Sequence, residues 1–409
     1  MEHGELIPHL FRDEYRKIVS VLCKRFGFEQ IETAEDLASD TFLTAAQTWG
    51  VKGIPQNPVA WLYEVAKNKA KNFLQRNAVF DNKVAPIISH TTPQADPYDI
   101  DLSTQNIIDS QLQMMFAICH PAIPVEAQIG LSLRILCGFG IGEIADAFLS
   151  NKETINKRLM RAKEKLRAEN IRIALPAPAD IDSRLATVLK TIYLLFNEGY
   201  YSVSQVATVR KELCFEAMRL CTILIENPHT NTPAVNALLA LMCFHASRLE
   251  ARTNAAGELI LYGEQDASLW NTDLISKGGY FLRCASTGRT LSRYHLEAGI
   301  AWWNTQQQDT PEKWESILQL YNHLLQMEYS PVAALNRTYA LAKANGKAAA
   351  IAEAEKLQLT GNHFYYLLLG ELYTGIDPHK AQQHLQQALL LAKTPAEQQV
   401  IQKKLSQLP

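Results

Sequence analysis

Lys157, Arg161 and Lys165 recur every four residues, so on a helix they stack along one face. Such a row of cations is suited to neutralising phosphates, with an affinity that falls as salt rises. The row sits in segment 152–172, where Lys152, Lys157, Arg158, Arg161, Lys163, Lys165, Arg167 and Arg172 face only Glu153, Glu164 and Glu169. Across the same helix Ile155, Leu159, Ala162 and Leu166 repeat at four, three and four, the period of an apolar stripe. An ordinary solvated helix can carry the same pattern, so charge alone leaves a phosphate-binding face and a plain surface both open.

The neighbouring elements give this helix a setting. Ile144, Ala145 and Phe148 share the apolar face of a short helix just before it. Between the two lie Leu149, Ser150 and Asn151. Ser150 and Glu153 have capping-box spacing and Asn151 is a competing N-cap, so a new helix starts here by either route. Two helices joined by so tight a turn predict a helix-turn-helix, whose second helix can enter a DNA major groove.

The chain has 409 residues, enough for two or three domains with large cores. A net charge of −2 makes the basic helix a local feature of a near-neutral protein. The longest apolar stretch, Ile129 to Ile141, contains Arg134 and is too short to span a bilayer. No apolar segment of a secretory signal opens the sequence, so a cytoplasmic, non-membrane protein is expected. Seven cysteines are scattered without a C-x-x-C pair. Cys119-His120 is half a metal site without a second pair, which favours a buried structural cysteine. Walker, G-x-S-x-G and H-E-x-x-H motifs are absent from the sequence. The expectation is a non-enzyme with no catalytic residues, no cofactor and no metal.

Almost every segment reads as helix, so the expected fold is all-α. Helices are predicted over Tyr15–Phe26, Ala34–Trp49 and Pro58–Arg76, broken by Gly27 and the Gly50–Pro58 turn, with Thr33 and Asp36 capping the second. A polar stretch with Pro86, Pro93, Pro97 and the acids Asp81, Asp96, Asp99 and Asp101 follows, then a helical block ending in the basic helix. From about Asp180 the chain is rich in Leu, Ala and Gln, with helices punctuated by Pro228, Pro311, Pro331, Gly346, Gly361, Pro378 and Pro395. Leu369-Gly370-x-x-Tyr373 followed by Ala381, Leu385 and Ala388 approximates a tetratricopeptide unit, one residue short in the turn. The domains expected are therefore 1–78, a linker 79–106, 107–172 and a helical solenoid-like 180–409.

The order Ala34-Glu35-Asp36-Leu37-Ala38-Ser39-Asp40-Thr41-Phe42, Trp49, Trp61-Leu62-Tyr63-Glu64-Val65-Ala66-Lys67-Asn68-Lys69-Ala70 and Arg76 resembles region two of the sigma-70 family, in its small extracytoplasmic-function members. The tail Arg158-x-x-Arg161-Ala162-x-x-Lys165-Leu166 resembles region four. His120-Pro121-Ala122, Tyr193–Tyr200, Glu264-Gln265-Asp266 with Leu269-Trp270, and Ser330-Pro331-Val332 with Ala334–Arg337 resemble a subgroup with a long helical C-terminal extension. The resemblance covers nearly the whole chain.

What it implies is a bacterial RNA polymerase sigma factor whose partners are core RNA polymerase and promoter DNA. Asp36, Leu37, Asp40 and Thr41 would lie on the polymerase-binding helix, Leu37 tending to the core. Lys67, Asn68, Lys71 and Arg76 would meet the single-stranded minus-ten element, with Trp61 more a core residue than a stacking platform. Lys152, Thr154, Asn156, Lys157, Arg158 and Arg161 would face the minus-thirty-five duplex. There Asn suits adenine, Arg suits guanine and Lys suits phosphate, and Arg158, beside core Leu159, could instead be structural. Leu149 replaces the glycine common in that turn. The acidic linker fits either a mimic of nucleic-acid charge or a passive spacer. The extension is expected to control activity, by holding the DNA-binding parts inactive or by receiving a regulatory protein. A stand-alone helix-turn-helix regulator, or a tetratricopeptide scaffold without DNA function, are the alternatives.

Overall fold

The computed structural model describes residues 3–81, 98–148, 150–201, 207–252, 260, 262–392 and 395–408. Among these the regular structure is entirely helical. The chain divides into two compact units, Met1–Glu198 with Thr222–Thr230, and Gly199–Cys221 with Asn231–Pro409. The division falls inside two long helices, α8 (Ile181–Tyr201) and α9 (Ala207–Glu226).

The first unit begins with α1 (His3–Phe26), α2 (Ile31–Lys52) and α3 (Pro58–Asp81). Gly27 and Gly53, at φ of 79° and 83°, separate them in a backbone region that costs glycine little. The second helix starts three residues earlier than its sequence suggests. Gln30 is its N-cap without a side-chain bond, and Thr33 lies inside the first turn, where its hydroxyl donates to Gln30 Oε1 at 2.9 Å. Next come α4 (Thr104–Ile118), α5 (Val125–Leu131), α6 (Ile141–Ala147) and α7 (Lys152–Ala168). Ser103 caps α4, accepting from the Asn106 amide. The apolar stretch after Ile129 forms the end of α5 and a wide turn over Ser132–Leu136, with Leu131, Leu133, Ile135, Leu136 and Phe139 all buried.

Helix α1 is the spine of this unit. It packs against α2, α3 and α4 and against the Ser132–Leu136 turn. That arrangement explains why Ile18, Val19, Val21 and Leu22 are all buried rather than every third or fourth residue.

In the second unit α10 (Pro233–Ala246) packs on α11 (Thr272–Ala285) and α12 (Arg293–Trp303). After it α13 (Pro311–Met327), α14 (Pro331–Asn345), α15 (Lys347–Leu357), α16 (His363–Tyr373), α17 (Pro378–Leu391) and α18 (Pro395–Ser406) each pack on the next. Such nearest-neighbour stacking is what a helical solenoid requires. Pro311, Pro331 and Pro378 open helices, the position where a missing N–H is harmless, whereas Pro228 lies in the turn after α9. Thr310 and Asp377 cap α13 and α17.

Two glycines mark close helix contacts. A Cβ on Gly370 would lie 2.6 Å from Leu385 Cγ, and one on Gly278 would lie 2.6 Å from the Phe244 ring. Gly278→Ala is therefore expected to destabilise the second unit by about 1–3 kcal/mol, read as a lower thermal midpoint.

His245 makes that unit acid-sensitive. Its imidazole lies 4.7 Å from the Tyr200 ring, tilted 48° to it, and burial, then Arg248 and Arg252, hold its pKa down to about 3 against an ordinary 6.5. The unfolded chain takes up a proton below 6.5 that the folded unit refuses until about 3. Stability is thus complete above pH 6.5 and falls as pH drops through that window, by up to about tenfold in the folding equilibrium per pH unit. Denaturant titrations at pH 7 and pH 5 should show this loss, and His245→Gln should flatten it.

Candidate nucleic-acid and polymerase interface

The basic helix α7 starts where its sequence allows. Asn151 rather than Ser150 is the N-cap, its Oδ1 accepting from the Thr154 amide at 2.8 Å. Leu149 lies outside the described residues. On α6 the Gly140 amide donates to Glu143 Oε2 at 2.7 Å. Ile155, Leu159, Ala162 and Leu166 are buried, so the predicted stripe is the face that seats α7.

The opposite face is open. Lys152, Thr154, Asn156, Lys157 and Arg161 are exposed. Lys157 touches Glu153 at 2.9 Å and Lys165 touches Glu169 at 2.7 Å, exposed pairs that hold these cations only weakly. Lys165 keeps the Glu169 carboxyl below the usual range. Arg158 differs from its neighbours. It is half-buried and its guanidinium lies 5.5 Å from the centre of the Phe148 ring, which ties α7 to the end of α6. Between α5 and α7 runs a cleft of about 440 Å³, floored by Ile123, Pro124 and Ala127 and rimmed by Lys157, Arg158, Arg161 and Lys165.

Two cations of the same helix point the other way. Lys163 is buried, with its Nζ 2.6 Å from Glu35 Oε2, and Arg167 pairs with Glu32 while its Nε donates to the Phe28 carbonyl at 2.8 Å. Glu35 also accepts from Arg134 Nε at 2.7 Å. The sequence carries one clue to this, since Lys163 follows Leu159 by four and so borders the apolar stripe. Charge counting does not separate it from the exposed lysines.

On α2 the polymerase-facing candidates split. Asp36 is exposed, Leu37 is half-buried, and Asp40 is exposed but bonded to Lys69 of α3 at 2.5 Å. Thr41 is fully buried, with its hydroxyl donating to the Leu37 carbonyl at 2.8 Å, so it seats α2 and presents nothing to a partner.

On α3 Asn68 and Arg76 are exposed, and Lys67 and Lys71 are half-buried. Lys67 pairs with Asp99 at 3.1 Å and Asn68 donates to Glu64 at 3.3 Å. Trp61 is half-buried and stands edge-on to buried Trp49 at 5.3 Å, the setting of a core aromatic. Tyr63 donates to Glu14 at 2.5 Å, and burial followed by that carboxylate pushes its hydroxyl pKa far up.

Asp101 turns inward to local structure, accepting from the Ser103 amide at 2.8 Å, which lowers its pKa. Asp96 and the three linker prolines lie outside the described residues, as does the Asp81 side chain. Cys119 is buried, and burial pushes its thiol up to about 11, while His120 Nδ1 accepts from the Ala122 amide at 3.1 Å. Among the described residues no group of His, Cys, Asp and Glu is placed to hold a metal, and no helix is long and apolar enough to cross a membrane.

A helical domain with an acidic helix beside a basic one, followed by a second capped basic helix, is compatible with a nucleic-acid-binding class of protein. Comparison with known proteins narrows the class. Residues 10–79 match the sigma-70 region 2 family, and residues 184–286 match a family of unknown function, DUF6596. The chain is 32% identical over 351 residues to the uncharacterized protein R00370 of Rhizobium meliloti (strain 1021), covering 84% of this chain and 82% of that one. No solved structure matches. The chain carries a sigma-70 region 2 domain at its N-terminus, and it belongs to one family with the Rhizobium protein along most of both chains. That domain supports the role of a sigma factor in transcription initiation and implies core RNA polymerase and promoter DNA as partners.

Proposed function

We propose that the chain is a bacterial sigma factor of the extracytoplasmic-function type that reads two promoter elements. Residues 1–78 bind core polymerase through Asp36, Leu37 and Asp40 and meet the minus-ten strand with Lys67, Asn68, Lys71 and Arg76. The linker 79–106 leads to 107–172, where α6 and α7 form a helix-turn-helix. Lys152, Thr154, Asn156, Lys157 and Arg161 face the minus-thirty-five duplex, and Arg158 braces the turn while offering its edge to DNA. The observation that carries this reading is the exposed polar and basic face of α7, opposite a buried stripe, on a chain with a sigma-70 region 2 domain.

The extension, residues 180–409, is a tetratricopeptide-like regulatory domain. Its support is the stacking of α12 to α18 and the tight Gly370–Leu385 approach where the repeat pattern falls. Its test is transcription by the full chain carrying Gly278→Val, which should change output if the extension regulates. The polymerase reading is tested by mixing purified chain and core polymerase. A stable stoichiometric complex on size exclusion is expected, and a chain that binds promoter duplex yet never co-elutes would mark a stand-alone regulator.

A further inference from the structure

We infer that this chain carries an ionic latch between α2 and α7 that must open before one molecule can occupy both promoter elements; the inference rests on the proposed bipartite reading. Glu35 and Lys163 are 8% and 9% exposed and lie 2.6 Å apart. Around them Glu35 meets Arg134 at 2.7 Å, Lys163 meets Glu32 at 3.7 Å, and Arg167 grips Glu32 and the Phe28 carbonyl. Lys163 and Arg167 thus join the acidic helix to the back of the basic one, and Arg134 of the Ser132–Leu136 turn braces Glu35 beside them. A second contact, Lys67 to Asp99 at 3.1 Å, holds a minus-ten candidate against the linker.

Size makes the latch consequential. The two elements lie about 25 base pairs apart by their names, on the order of 80 Å along B-form DNA. A compact unit of about 200 residues has a radius of gyration of roughly 17 Å and a diameter of roughly 45 Å. In the closed unit α7 can touch duplex DNA, because its reading face is exposed while its back face is tied to α2. The region 2 surface cannot then reach its own element. The closed chain therefore reads one element at a time.

The chemistry suits a reversible latch. Paired charges that part in water regain hydration, so a buried ion cluster adds little net stability while being strongly disrupted when one partner alone is removed. Packing of α1 on α4 adds a second contact between the two parts.

Two experiments test the latch, both in a Cys284→Ser background, since the other six cysteines are buried. The first needs no polymerase. Dyes at Gln47→Cys on α2 and Met160→Cys on α7, both exposed, should show high energy transfer in the free chain. Lys163→Glu should lower it, whereas Lys163→Arg, which keeps the charge, should leave it high. Unchanged transfer in a folded Lys163→Glu chain overturns the latch. The second bridges Glu32→Cys and Arg167→Cys with a short bis-maleimide. Transcription with core polymerase should fall at least tenfold relative to the same chain capped with two mono-maleimides. Equal transcription by bridged and capped chains overturns the need for opening. Absence of transcription from every form would sink the sigma reading instead, while energy transfer still decides the latch.

Discussion

Reversing two charges on α7, Lys157→Glu with Arg161→Glu, is expected to weaken promoter binding by on the order of 100-fold or more, and the salt dependence should flatten by about two units. Both side chains are exposed, so the fold has little to lose. The one ion pair broken, Lys157 with Glu153, is exposed and holds the helix weakly. The measurement is fluorescence anisotropy of a labelled promoter duplex at several salt concentrations, with a thermal melt as the folding control. Asn156→Ala in the same assay should weaken only promoters that carry the base it contacts. If the double reversal left both affinity and salt slope untouched, α7 would be an ordinary solvated helix.

Asp36→Arg is expected to weaken the complex with core polymerase by about ten- to a hundredfold, mostly through slower association at low salt. This residue is the informative one on α2. It is exposed and one turn from Asp40, which already spends its carboxylate on Lys69. Reversal at Asp40 would disturb α3 as well and confuse two effects. Biolayer interferometry of the full chain against immobilised core polymerase reads the change. A Thr41→Val control should bind as tightly as the parent, because that hydroxyl donates to the Leu37 carbonyl and faces inward.

The sequence makes legible the features governed by local rules. The stripe Ile155, Leu159, Ala162 and Leu166 is buried as its period demands, and the capping residue lies within the Ser150–Asn151 pair. Prolines open the later helices where a missing N–H does no harm. Thr33 illustrates the limit of local signals: its hydroxyl suits a cap, but Ile31 is buried in the core and draws the helix start upstream. Lys163 and Arg167 illustrate another limit. Their partners Glu35 and Glu32 lie more than a hundred residues away in sequence. No period or spacing along one segment encodes a pair that only the tertiary approach of α7 to the start of α2 creates. Thr41 sits in the polymerase-helix motif by sequence, whereas the helix around it fixes its side chain inward.

The most direct test of the central claim is in vitro transcription from genomic DNA with purified core polymerase and this chain, with start sites mapped. The account predicts discrete starts that vanish without the chain and share two upstream elements at fixed spacing. Core polymerase whose start sites are the same with and without the chain would contradict it.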